Sequence, residues 1–251
     1  MPPRAAPDAF TGFRPAALTF LRALTRNNTR EWFEANRERY ESQIKRPLQI
    51  LVEEIDARLG EIAPEMIGNP KKSIFRIYRD VRFSKDKSPY KTNAAAWFYH
   101  RDAGHAVGTA AVHGGAGFYF QIAPQECMVA GGIWMPPTVA LKTLRAAIAD
   151  DPSELTSVLQ QRTFKRTFSQ LSDEAVLKRT PRGFAADHPA AELLRYKSFT
   201  VSKPLSEAEI LSSALPDIVA LRYATMLPLI RWINRVLGTT RSATRSASSP
   251  G

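Results

Sequence analysis

The hydrophobic periodicity of this chain changes from helical to two-residue near residue 74, and this change limits the possible folds most strongly. Between residues 33 and 59, apolar side chains recur every three or four positions, which predicts one buried helical face. Over 74–134 they alternate instead, as in strands joined by short turns. Helical periodicity returns after Pro137. The pattern predicts an α+β fold with N-terminal helices, a central, mostly antiparallel sheet of hairpins and C-terminal helices packed on it.

Prolines, glycines and capping residues mark the ends of the predicted elements. Pro15 suits the first turn of a helix over 15–24, and the capping-box pattern at 28–31 predicts the start of the next helix. Pro47 should kink or split that helix and Gly60 should end it. Further helices are predicted at 137–150, after Asp151-Pro152, after the capping box Ser206-x-x-Glu209 and at 218–237, and strands at 74–83, 93–101, 106–113, 117–123 and 126–134.

The length and the uniform composition predict one domain. A chain of 251 residues can bury a sizeable core, as one large domain or two small ones. It has no internal repeat and no break in composition deep enough to divide it. We therefore expect a single domain over 10–238 with flexible tails at 1–9 and 239–251.

The sequence predicts a cytoplasmic protein with no membrane partner. Residues 1–10 lack the apolar run of a secretory signal, and the apolar stretch 218–237 is interrupted by Arg222, Pro228 and Arg231. The single cysteine, Cys127, excludes an internal disulfide and a multi-cysteine zinc site, in agreement with a reducing compartment. Its apolar neighbours predict a buried, inert thiol.

A cluster of positive charge lies between residues 71 and 91. The formal net charge of the chain is +11, and this window alone holds eight basic residues against two acidic ones. Residues 76–92 read R-I-Y-R-D-V-R-F-S-K-D-K-S-P-Y-K-T, with apolar residues among the ions. A solvated charge run would lack those apolar partners. We therefore predict a half-buried strand and a trailing loop that present fixed cations to an anion.

Alternation along this strand assigns its side chains to two faces. Phe75, Ile77, Val81 and Phe83 would share the core face with Arg79, and Arg76, Tyr78, Asp80 and Arg82 the other face. Guanidinium groups suit two-pronged binding of phosphate or carboxylate. The candidate ligand-binding residues are Arg76, Arg79, Arg82, Lys85, Lys87, Tyr90 and Lys91. Asp80 or Asp86 could act as a general base, and a purely structural salt-bridge ladder is equally compatible with the pattern.

Histidines and glycines give no metal or cofactor prediction. His100, His105 and His113 fall on two predicted strands, but their spacing matches no standard ligand pattern. The glycines at 114–117 and 131–132 match neither a phosphate-binding loop nor a dinucleotide fingerprint. The second pair indicates a bulge or a close approach of another backbone or of a ligand.

Four motifs together resemble the conserved family DUF2461. They are N-N-T-R-E-W-F at 27–33, R-D-V-R-F-S-K-D-K-S-P-Y-K-T at 79–92, G-G-I-W-M-P at 131–136 and P-R-G-F-A-A-D-H-P at 181–189. The resemblance extends from Phe10 to Leu237 and implies a shared fold but no particular reaction. The chain departs from the family pattern at 171–174, where a glycine-containing turn is expected.

Three classes of function remain open at this point. The cations at 76–92 favour binding of a phosphorylated or other anionic small molecule, or of nucleic acid, with nearby aromatic residues available for stacking. The same residues could serve an enzyme that acts on a small anionic substrate, or an interaction protein that docks an acidic partner. The sequence makes no prediction of oligomeric state.

Overall fold

A computed structural model describes residues 9–82, 84–103 and 115–239. Within these ranges, helices precede a five-stranded antiparallel sheet, and further helices lie before and after its last strand. This order confirms the predicted α+β class. The predicted strand at 106–113 and most of both predicted tails lie outside the described residues.

The helices before the sheet begin close to the predicted positions. They are α1 (Pro15–Arg26), α2 (Arg30–Ala35), α3 (Arg37–Tyr40), a π-helical turn (Glu41–Lys45) and α4 (Arg46–Ile62). The N-cap of α2 is Thr29 and not Asn28, because the Thr29 hydroxyl accepts a hydrogen bond from the Trp32 backbone N–H at 3.2 Å. Asn28 is thereby left for a different contact, described below.

The segment predicted as one helix, kinked or split by Pro47, is interrupted by the π-helical turn just before Pro47. There the Arg46 N–H donates to Glu41 O, five residues back, and Pro47 has no N–H to donate to the helical ladder. The predicted end at Gly60 is wrong. Gly60 keeps helical geometry, and α4 continues to Ile62 before Ala63 ends it.

The sheet is a meander in which chain order equals spatial order. Its strands are β1 (Met66–Ile67), β2 (Ala94–His100), β3 (Gly117–Ile122), β4 (Cys127–Ile133) and β5 (Phe199–Leu205), each antiparallel to its neighbours. The predictions at 93–101, 117–123 and 126–134 are confirmed as β2, β3 and β4. The sequence analysis missed β5, which contains Pro204; as the last strand in the order it can accommodate a proline.

The described part of the predicted strand at 74–83, residues 74–82, does not form a strand. It has only isolated bridges, at Ile74 and Tyr78. The chain bends at Ile77, whose side chain enters the core, so a single alternating strand cannot continue through this point. Of the predicted core face, Ile77 is buried, Phe75 and Val81 are half-buried, and Phe83 lies outside the described residues.

Among the described residues, four further helices lie between β4 and β5 in the chain, and two follow β5. They are α5 (Thr138–Asp150), α6 (Pro152–Gln160), α7 (Arg162–Phe168), α8 (Ala191–Leu194), α9 (Glu207–Leu211) and α10 (Leu215–Val236). The predicted capping box before α9 is confirmed in both directions. Helix α10 crosses the sheet, and its Tyr223 ring stacks on Phe118 at 4.4 Å between centroids. No described helix, α10 included, has the length and apolarity needed to cross a membrane.

Alternation along the strands gives the sheet a second face. Phe98 and Phe118 both contact Tyr223 of α10, so the residues directly before and after each of them in its strand point to the opposite face of the sheet. On that second face, one residue from each of four adjacent strands lies in register: Trp97, Tyr119, Ala130 and Ser202. This row forms the floor of the site described next.

Cys127 begins β4 and is buried, as predicted. Its thiol lies 3.4 Å from the carbonyl oxygen of Ala123. Burial raises the pKa of the Cys127 thiol, so little of the reactive thiolate forms at neutral pH.

Candidate ligand-binding cleft

A cleft of about 750 Å³ opens on the sheet face that points away from α10. Its floor is the four-strand row of Trp97, Tyr119, Ala130 and Ser202, and its rim carries Phe75 and Trp134 among other residues. A concave site of this size with aromatic walls and a few polar groups is typical of small-molecule binding sites. We name it the sheet-face cleft.

One wall of the cleft is built by the basic segment. Residues 73–75 pair with the edge of β2, since the backbone N–H of Phe75 donates to Ala95 O at 3.0 Å. The chain then turns back on itself: Arg79 N donates to Pro89 O at 2.9 Å, and Lys91 N donates to Ile77 O at 2.8 Å. We call residues 77–91 the basic hairpin. Its two short paired legs lie at 77–79 and 89–91.

The side chain of Asn28 fastens the basic hairpin to the N-terminal helices. Its Nδ2 donates to the backbone oxygen of Tyr90 at 2.9 Å, and its Oδ1 accepts from the Tyr90 N–H at 3.0 Å. The Tyr90 ring stacks on Phe33 at 4.1 Å and is only 2% exposed. The structure therefore places Tyr90, a predicted ligand contact, in the core, where it positions the hairpin.

Two of the predicted cations line the cleft: Arg79 and Lys91. Lys91 Nζ lies 5.3 Å from the centroid of the Phe75 ring, in a cation–π contact. Burial, and then the nearby charge of Arg76, lower the pKa of Lys91. An anion beside this ammonium would relieve both effects, because it favours the charged form.

The other predicted cations lie outside the cleft lining. Arg82 forms an ion pair with Asp80 at 2.7 Å, and Lys87 Nζ donates to Val81 O at 2.9 Å. Arg76 and Lys85 are exposed. Within the basic segment, Arg82 thus has a structural ion pair of the kind that the sequence left open as an alternative to ligand binding.

Both candidate bases are held as carboxylates. Hydrogen bonds from Arg82 lower the pKa of Asp80 to about 2. Hydrogen bonds from Ser88, and then from Arg79, lower the pKa of Asp86 to about 2. A general base works best when its pKa is near the working pH, so neither carboxylate is tuned for proton abstraction at neutral pH.

The floor of the cleft also holds polar groups that sequence reasoning did not select. Asn93 Nδ2 and Tyr119 Oη both donate to Gln121 Oε1, at 2.9 and 2.8 Å. Burial raises the pKa of Tyr119 to about 12, so its hydroxyl stays protonated. The indole N–H of Trp97 is buried without a hydrogen-bond partner among the described residues. Pairing across strands brings these residues together, and no local motif marks them.

Two carboxylates line the cleft: Glu126, at the turn between β3 and β4, and Glu174, at the end farthest from the basic hairpin. Glu174 and the half-exposed indole of Trp134 lie there, beside Thr200 and Gly132. Ser172 N donates to Thr200 O at 2.8 Å, which fixes the segment carrying Glu174 against the outer edge of β5. At 171–174, where the family pattern calls for a glycine-containing turn, Ser172 pairs with Thr200 of β5 and a turn without glycine begins at Glu174. The nearby left-handed residue is Ser169, with a φ of 63°.

No three acidic, histidine or cysteine side chains in the described ranges lie together in a way that could hold a metal ion. His100 is buried beside Asp102, and its burial lowers the pKa of the imidazole. His105 and His113 lie outside the described residues.

Comparison with known families shows to which family the chain belongs. The model of a conserved hypothetical protein family, DUF2461, matches residues 16–232. The chain belongs to the DUF2461 family. The resemblance drawn from the four motifs is thereby confirmed. Searches of curated proteins and of solved structures each gave no match.

The DUF2461 motifs can now be located in the fold. The motif at 79–92 covers the basic hairpin from residue 79 onward. The motif at 27–33 contains Asn28 and Phe33, which contact Tyr90 and hold the hairpin in place. The motif at 131–136 ends β4 and carries Trp134 at the rim of the cleft. Three of the four motifs therefore build or support the sheet-face cleft.

Proposed function

We propose that this DUF2461 protein binds a small anionic ligand with an aromatic or apolar body in the sheet-face cleft. The observation that carries the proposal is the position of Arg79 and Lys91, which border a cleft that also contains the aromatic side chains of Phe75, Trp97, Tyr119 and Trp134. An anionic group would lie against these two cations, and the body of the ligand would lie over Trp97 and Tyr119.

The electrostatics of the two cations support this assignment. Lys91 has no carboxylate partner among the described residues and is partly buried, which leaves its charge poorly solvated. Arg79 is paired with Asp86, which offsets part of its charge, so Lys91 is the less compensated of the two cations.

The size of the cleft favours a small molecule over nucleic acid. A volume of about 750 Å³ lies in the range of small-molecule sites. Two of the other cations of the basic hairpin, Arg82 and Lys87, already have protein partners. The exposed remainder could still attract nucleic acid through charge alone, and the salt dependence of binding tests this alternative.

Replacing Lys91 by methionine should weaken binding of an aromatic anion. The probe is anilinonaphthalene sulfonate, which combines a sulfonate with apolar rings and becomes fluorescent in apolar sites. Methionine keeps most of the packing against Phe75 and removes the charge. We expect a rise in Kd of about tenfold, since a hydrogen bond to a charged group is worth roughly 1.5–3 kcal/mol.

Lys85→Met is the matched control for this substitution. It removes the same charge from an exposed position of the same hairpin that does not line the cleft. Its Kd should stay within about twofold of that of the wild type. Equal weakening by both substitutions would indicate general charge attraction and overturn the proposed site.

The ion pair between Arg79 and Asp86 leads to a second prediction, in which binding becomes tighter and not weaker. Asp86→Asn should tighten binding of anilinonaphthalene sulfonate by about threefold at low salt, because it removes the carboxylate that partly neutralises Arg79. Asparagine can still accept the hydrogen bond from the Ser88 N–H that shapes the loop. Fluorescence titration measures the change.

Asp80→Asn is the charge-matched control for Asp86→Asn. Asp80 pairs with Arg82, which does not line the cleft, so the Kd should not change. Tightening by both substitutions to the same extent would contradict a specific role of Arg79.

A single-stranded oligothymidylate serves as the nucleic-acid probe. Its affinity, measured by fluorescence anisotropy, should be weak at physiological salt. A small anion that contacts two cations should lose only a few-fold in affinity between roughly 50 and 200 mM salt. Tight oligonucleotide binding that falls by about a thousandfold over that range would instead favour nucleic acid as the ligand.

A further inference from the structure

We infer that the far end of the sheet-face cleft receives a positively charged group of the same ligand, so that the ligand class is an extended zwitterion. The inference rests on the proposed function and adds the second charge. Trp134 and Glu174 form this cation-receiving end. An ammonium or guanidinium group would lie between the carboxylate and the face of the indole.

Glu174 has the properties required of the anionic partner. It is exposed and lines the cleft, and it makes no hydrogen bond or ion pair with any other described residue. Its neighbour Ser172 ties this segment to Thr200 of β5, so the carboxylate stands on a fixed backbone. A fixed carboxylate facing a cleft favours a cation there.

The backbone around Trp134 presents its indole to the cleft. The ring is 54% exposed, although indoles are usually well buried. Gly132 precedes it with a φ of 128°, and Met135 follows it with a φ of 43°. The Met135 N–H donates to the buried Ser198 hydroxyl at 2.9 Å, which holds this conformation. A left-handed, non-glycine residue costs energy, and such residues cluster at ligand sites.

The indole and the carboxylate are complementary to the same group. Tryptophan is the best aromatic partner for a cation, because its π-face is negative. A carboxylate beside it adds direct charge attraction and hydrogen-bond acceptors. An uncharged apolar ligand would gain nothing from Glu174, so the pair distinguishes a cation from a neutral group.

The sheet register gives the length of the ligand. Lys91 and Phe75 lie at the outer side of β2, whereas Glu174 lies beyond β5. Three inter-strand spacings separate β2 from β5, which amounts to about 14 Å. A ligand that reaches both ends therefore carries its opposite charges up to about that far apart. An extended peptide of about four residues with free termini has this length.

Two peptides test the inference: Ala-Phe-Phe-Ala with free termini, and the same peptide with an acetylated N-terminus. Both keep the carboxylate and the apolar body, and only the first has an ammonium group. Displacement of anilinonaphthalene sulfonate gives their affinities. On the wild-type protein the free peptide should bind about fivefold more tightly than the acetylated one.

Substitutions at the far end should remove this preference. In Glu174→Gln the ratio of the two affinities should fall to about one, and Trp134→Leu should lower it as well. Asp173→Asn removes the same charge at an exposed neighbour outside the cleft lining, so it should keep the wild-type ratio.

The outcomes separate this inference from the proposed function. Equal affinities for the two peptides, or no displacement by either peptide, would overturn the inference. The anion site would still be supported if Lys91→Met weakens binding of anilinonaphthalene sulfonate. If Lys91→Met has no effect on the probe, both fail. A preference for the free peptide that survives Glu174→Gln would also overturn the assignment to this end of the cleft.

Discussion

Gly132→Ala should prevent stable folding. Gly132 has a φ of 128°, and a Cβ placed on it would lie 1.9 Å from the carbonyl oxygen of Phe199 and 2.8 Å from the Cα of Thr200. Both obstacles are backbone atoms of β5, so relief requires that the β4–β5 pairing open. We expect a loss of more than about 4 kcal/mol in the free energy of unfolding, from a typical total of roughly 5–15 kcal/mol.

Gly183→Ala separates the clash at Gly132 from simple backbone strain. Gly183 also has a positive φ, 94°, but a Cβ there would meet no atom within 4 Å. It should lose only about 1–2 kcal/mol. Urea unfolding followed by circular dichroism measures both variants. If Gly132→Ala costs no more than Gly183→Ala, the close approach of β5 does not constrain the fold.

Asn28→Ala should destabilise the protein by about 3 kcal/mol. The substitution leaves both backbone groups of Tyr90 without their side-chain partner, and each unsatisfied group costs roughly 1–3 kcal/mol. The loss should be concentrated in the basic hairpin, because the Asn28 amide ties it to the N-terminal helices. Amide hydrogen exchange of residues 77–91 should therefore accelerate more than exchange of β3.

Asn27→Ala provides the neighbouring control. The Asn27 amide donates to Ala23 O at the exposed end of α1, so its loss should cost less than about 1 kcal/mol. The two variants should also differ in function. Asn28→Ala should weaken anilinonaphthalene sulfonate binding, since Arg79 and Lys91 lose their support, and Asn27→Ala should not. Unchanged hairpin exchange in Asn28→Ala would contradict the anchoring role.

The sequence predicted those elements whose signals are local. Helix α1 and the β3–β4 hairpin follow from apolar periodicity and turn residues close together in the chain. Strand β5 was missed because Lys203 and Pro204 interrupt its alternation, and only its place at the end of the sheet order makes them tolerable. The predicted strand at 74–83 was wrong because the bend at Ile77 directs that side chain into the core, which depends on distant packing.

The candidate site shows the same division. Charge density selected Arg79 and Lys91 as ligand contacts, and both line the cleft. It could not separate them from Arg82, which pairs with an aspartate two residues away. Trp134 and Glu174 are 40 positions apart in the sequence and reach the same cleft through the β4–β5 pairing and the hydrogen bond from Ser172 to Thr200. No pattern within the chain joins them.

The single thiol of the chain can report local opening at the start of β4. Cys127 is buried at the first residue of this strand, where it pairs with Leu205, and its thiol is mostly protonated at neutral pH. Alkylating reagents can reach it only when this corner of the sheet opens. Because the chain has no second cysteine to react, the alkylation rate reports how often the β4–β5 pair opens in the native protein, without any engineered probe.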